Sequence, residues 1–137
     1  MAKLTARSMA RLEKLLKIAE PLPELEISGR ERLHEQGRGA GHLRFFVRKK
    51  TVAYYLNDHH GDGIRSLCCK VRSPLAQAEY VESDPEQFYV PPYIGPKGWL
   101  GICLDLGKVD WPEVRELLFE SYRLQAPKRL ARLLDEP

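Results

Sequence analysis

Residues 87–129 read QFYVPPYIGPKGWLGICLDLGKVDWPEVRELLFESYRLQAPKR. They hold, in one run, a tyrosine–proline turn, a strand, a capped helix and the start of a second helix. Trp99, Gly101 and Cys103 alternate with Leu100, Ile102 and Leu104, the period-2 pattern of a half-buried strand. Asp110 is a good N-cap, and Glu113 three residues on completes a capping-box-like start. Trp111, Val114, Leu117, Leu118 and Tyr122 then form an apolar stripe at helical spacing. Pro127 suits the first turn of a last helix in which Leu130, Leu133 and Leu134 face inward. No reaction is written in this stretch.

Upstream of it the pattern turns to strands. Leu43, Phe45 and Val47 alternate with Arg44, Phe46 and Arg48; Lys49 and Lys50 mark a tight turn; Val52, Tyr54 and Leu56 continue on the return strand. The turn NDHHGDG at 57–63 leads to a third strand over 64–71, with Leu67, Cys69 and Val71 on one face and Ser66, Cys68 and Lys70 on the other. Three short strands with tight turns indicate an antiparallel meander with one buried face. Ser73 and Pro74 open a short helix. Near the N-terminus Leu12, Leu15, Leu16 and Ala19 fall at helical spacing, with Arg7, Arg11, Lys14 and Lys17 on other faces, and Pro21 and Pro23 end that helix. Residues 25–27 suit a short strand. Gly37, Gly39 and Gly41 mark a loop that lacks the strand, helix and Lys-Ser/Thr pair of a phosphate cradle.

At 137 residues without a linker, repeat or low-complexity tract, the chain reads as one domain over 1–137, long enough to bury a core without disulfides. A net charge of +3 is too mild to mark a nucleic-acid binder by itself. Cys68, Cys69 and Cys103 make an odd count without CxxC spacing, as reduced core thiols of a cytoplasmic protein do. No apolar run approaches the ~18 residues a membrane-spanning helix needs, and no signal peptide is recognisable. No membrane partner is expected.

Six groups of residues invite a chemical reading. The basic hairpin tip Arg48, Lys49 and Lys50, with Arg44 and Arg65 on the meander and Lys70 and Arg72 at its end, can reach phosphates; hairpin-tip lysines are also ordinary solvated turn residues. Phe46 and Tyr55 fall where an aromatic on the open sheet face would stack on a base. A second basic group, Arg123, Lys128, Arg129 and Arg132, lies on the last two helices, where cations also suit helix C-termini. The tyrosine–proline turn with Tyr89, Tyr93, Lys97 and Trp99 suits either a binding surface for a small ligand or protein partner, or a rigid plug crossing the sheet. Asp58, His59, His60 and Asp62 read as a polar loop, not a metal site, since adjacent histidines rarely converge on one ion. Cys68, Cys69 and Ser66 come with no base, orienting carboxylate and oxyanion donor grouped around them. No catalysis, metal or cofactor is expected.

The runs FYVPPYIGPKGWLGICLD and VDWPEVRELLFESYRLQAPKRLA resemble the MmcQ/YjbR family. The likeness is carried by Asp84-Pro85-Glu86, residues 88–93, Gly98-Trp99, Asp110-Trp111, Ser121-Tyr122 and Ala126-Pro127-Lys128, and extends through Lys70-Val71 back to about Leu43. Val90 departs from it, standing where the family pattern has a proline, and the glycine loop at 37–41 is longer than usual. The resemblance implies a CyaY-like, double-wing-like α+β fold: two layers, an antiparallel sheet of five or six strands with helices packed on one face. It implies DNA as partner, through hairpin tips, and brings no catalytic residues. That inference from fold to function is an analogy.

Overall fold

Among the described residues six strands, β1 (Glu26–Ser28), β2 (Leu43–Val47), β3 (Lys50–Asn57), β4 (Arg65–Lys70), β5 (Phe88–Tyr89) and β6 (Trp99–Cys103), form one sheet in the order β1-β2-β3-β4-β6-β5. Every neighbouring pair is antiparallel. The computed structural model describes residues 5–33, 41–57 and 64–135. The loop glycines Gly37 and Gly39 and the polar loop of Asp58, His59, His60 and Asp62 lie outside the described residues.

The helices start where side chains can absorb orphan backbone N–H groups. Thr5 caps α1 (Ala6–Ala19), Ser73 caps α2 (Pro74–Ser83) and Asp110 caps α3 (Trp111–Gln125), each accepting from a backbone N–H three residues on at 3.1–3.2 Å. α3 packs across β3 and β4 with α1 beside it, and α2 closes the β5 edge, where Tyr80 and Phe88 pair at 5.1 Å. The core lies between this helical layer and one face of the sheet. Leu12 and Leu15 of α1 and Val114, Leu118 and Tyr122 of α3 meet Leu43, Phe45, Ala53, Tyr55, Leu67, Cys69, Leu100 and Ile102, all at most 1% exposed. Full burial of such side chains is worth about 1.5–3 kcal/mol each. The expected two-layer α+β architecture is observed, with helices on one face.

Four local details differ from the sequence pattern. The register steps from Phe45↔Ala53 to Phe46↔Thr51, so Val52 is an extra residue in β3. Ala53 and Tyr55 therefore face the helices and Tyr54 faces outward, not one face of Val52, Tyr54 and Leu56. The β2–β3 turn comprises Arg48 and Lys49, Lys50 already pairing with Val47, and Arg48 takes the positive φ of 57° that the two-residue connection demands. A two-residue strand, β5, emerges from the tyrosine–proline region. Finally α4 (Lys128–Ala131) lasts a single turn before tightening to a 3₁₀ turn over Arg132–Asp135, which leaves Leu133 45% exposed while Leu130 is buried.

Candidate nucleic-acid interface

Strand register decides which cations share an end of the molecule. The Arg48–Lys49 turn closes β2 and β3; Lys70 ends β4 one position past the Ala53↔Cys69 pair and pairs with Trp99 at the start of β6. Lys97, in the 3₁₀ turn Gly95–Lys97, enters the same end, its carbonyl accepting from the Lys70 ammonium. Ser121 of α3 locks this end: its hydroxyl accepts from the Lys70 N–H at 2.9 Å and donates to the Val52 carbonyl at 2.5 Å. Gln125 adds a bond to the Thr51 carbonyl at 3.0 Å. Arg48, Lys49, Lys50, Lys70 and Lys97 thus lie at one end of the sheet.

Carboxylates reach part of that end. Glu24 pairs with Arg48 at 3.4 Å and with Arg129 at 4.0 Å, and all three side chains are about half exposed or more, so these pairs are weak. Arg72 lines a 360 Å³ cleft with Glu79 and Glu113. Burial, then Glu116 and Asp110, hold the Glu113 carboxyl above its usual range. Lys49 and Lys50 are exposed, with no ion-pair partner among the described residues.

Arg44 lies on the outer face of β2, four positions before Arg48, and its side chain reaches the tip. Its guanidinium donates to Thr51 Oγ1 at 2.7 Å and to the Lys49 carbonyl at 3.2 Å, and lies over the Phe46 ring at 4.5 Å. Arg65 sits at the far end of β4, paired with Asp105 at 3.6 Å and largely buried. Of the two aromatics expected on the open face, Phe46 is there, beneath Arg44. Tyr55 is in the core instead, because the extra residue in β3 inverts the phase, and burial pushes its phenol up to about 12. The second basic group is dispersed: Arg129 bonds Glu24 and Arg123 bonds Asp135 at 3.2 Å.

The tyrosine–proline turn folds over the outer sheet face. Tyr89 lies on Gly101, and its hydroxyl meets Ser66 Oγ at 2.5 Å, with Cys68 beneath at 3.8 Å. Trp99 is nearly buried and pairs with Tyr54 at 5.5 Å. Gln77 of α2 fastens the turn, donating to the carbonyls of Gly95 and Trp99 at 2.8 Å. Tyr89 and Trp99 therefore plug the face. Tyr93 does not: it is 77% exposed with φ 66°, and with Tyr54, Leu56, Pro91, Pro92 and Ile94 it lines an apolar cleft of about 140 Å³. Tyr54 and Leu56 were missed by sequence reasoning. Only the register could have found them.

The thiols are sheltered. Cys68 and Cys69 are buried, burial raises the Cys69 thiol well above its ordinary range, and burial also raises half-buried Cys103. Among the described residues no cluster of three or more His, Cys, Asp or Glu could hold a metal, and no helix is long and apolar enough to cross a membrane.

A family model described as YjbR matches residues 26–124. The crystal structure of a Deinococcus radiodurans protein, described by the family-model domain DUF419, matches with a TM-score of 0.65 and 22% identity. The match covers 92% of this chain and 88% of that one, and at that identity it speaks for the fold alone. No curated protein matches the chain.

Proposed function

The chain belongs to the YjbR family, and from that premise we propose a non-catalytic binding module that grips the phosphate backbone of nucleic acid with the basic end of its sheet. The observation that carries this reading is the register that gathers Lys49, Lys50, Lys70 and Lys97 with Arg48 at one end. Flexible cations on a rigid hairpin tip reach phosphates while the strands hold them in place, and contacts of this kind position a protein without reading sequence. Because Glu24 shares Arg48 and Arg72 sits among carboxylates, few cations are at full strength, and the affinity expected is modest. The non-catalytic half of the reading is supported by the burial of Ser66, Cys68 and Cys69, whose nucleophilic atoms lie under Tyr89 or in the core.

The alternative, an adaptor taking a protein segment or small ligand at the aromatic turn, is favoured by one observation: the cleft beside Tyr93 is open. The two separate on charge reversal. Lys49→Glu with Lys50→Glu should lower oligonucleotide affinity at least tenfold by fluorescence anisotropy at low salt. Lys14→Glu with Lys108→Glu makes the same change in net charge beside the start of α3, away from the tip, and should change affinity little. Equal losses from both pairs would deny the tip its role.

A further inference from the structure

We propose that the cleft between Tyr54 and Tyr93 is a base-stacking subsite, so that the strand bound at the basic end is single-stranded. This rests on the phosphate-binding reading above and names its substrate. A void of about 140 Å³ holds one aromatic ring and little more, comparable to cavities of about 150 Å³ that take up benzene. Its walls are the Tyr54 and Tyr93 rings, Leu56, Pro91, Pro92 and Ile94, apolar faces suited to a planar heterocycle and indifferent to its identity.

Charge decides between a base and an uncharged apolar side chain. Arg44 sits directly across from Tyr54 in the β2–β3 register, and only some of its five N–H groups are used by Thr51 and Lys49. From Tyr54 the outer face leads past Arg44 to Thr51, opposite Phe46, and on to the Arg48–Lys49 turn, where the Lys49 carbonyl accepts from Arg44. A polyanion whose base enters the cleft therefore meets Arg44 first and the lysine tip next.

Tyr93 carries the second argument. A tyrosine held at φ 66°, a region that disfavours side chains with a Cβ, presents most of its ring to solvent at the rim of the cleft. Duplex bases are already stacked on one another and cannot enter; bases of a single strand can.

The test uses the full chain and labelled strands of about ten nucleotides, a span within one stacking module's usual site size. One strand is oligothymidylate and the other an abasic backbone of equal length. Tyr93→Ala should weaken oligothymidylate binding about tenfold, leave the salt dependence unchanged and barely affect the abasic strand, while Tyr93→Phe retains wild-type affinity. Wild-type protein that binds both strands equally, with Tyr93→Ala unchanged, would overturn the subsite and leave the phosphate reading standing. Wild-type protein that binds neither strand at low salt would remove both. A proline-rich peptide that binds in a Tyr93-dependent manner, where oligothymidylate does not, would assign the cleft to a protein segment and overturn the proposal.

Discussion

Replacing Ser121 with alanine is expected to destabilise the protein by about 2–4 kcal/mol, because one buried hydroxyl serves two backbone groups that have no other route to water. Ser121 is fully buried, accepts from the Lys70 N–H and donates to the Val52 carbonyl. The pair has a cause in the sequence. Val52 is the extra residue in β3, so beyond Ala53↔Cys69 the β3–β4 ladder stops, and the next backbone groups are left for α3 to satisfy. Alanine removes the hydroxyl and opens too little space for a water to replace it, so both groups lose a partner. A urea titration should show the midpoint falling by about 1–2 M with an unchanged slope. The variant should also bind oligonucleotides less well, since the same bond aligns Lys70 with the tip. A loss under ~0.5 kcal/mol would mean that the ladder closes without the helix.

Gly101→Ala is the second large effect, expected to cost about 1–3 kcal/mol by overpacking. A methyl group at Gly101 would lie within 3.0 Å of Cδ1, Cε1 and Cζ of Tyr89. The ring cannot simply swing aside, because its hydroxyl is bonded to Ser66 and its backbone pairs with Gly101 itself. Tyr89 would be displaced and the turn above it loosened. The double variant Gly101→Ala with Tyr89→Ala removes the clash, so its thermal midpoint should lie above the value expected from adding the two single losses. Strict additivity would show that the two residues are not in opposition.

Much of this architecture was legible in the residues. The Asp110 cap and the stripe from Val114 to Tyr122 identified α3, and the alternation over 43–47 and 99–104 identified two strands with their faces. The phase of β3 was not legible, because VAYYL is apolar at every position and alternation gives no purchase. The bulge that sets it depends on pairing with β2 and on Ser121, sixty-nine positions away. The same error hid the candidate cleft: with Tyr55 assigned outward, Tyr54 was invisible as its wall. β5 is too short to show a period, and Tyr89 reads as a binding residue until Gly101 is found beneath it. Leu133 followed helical spacing, but a helix of one turn cannot keep its phase once it tightens. The lysine tip itself needed no structure. Nor did its grouping with Lys70; what needed one was the knowledge that Lys97 joins them.

The central claim is that a handful of cations at this end hold phosphates, and the salt dependence of wild-type affinity tests it most directly. Labelled oligonucleotides titrated between ~50 and ~200 mM salt should give a slope of log K against log salt of about −2 to −4, the value for three or four neutralised phosphates. No detectable binding at the lowest salt, or an affinity indifferent to salt, would contradict it.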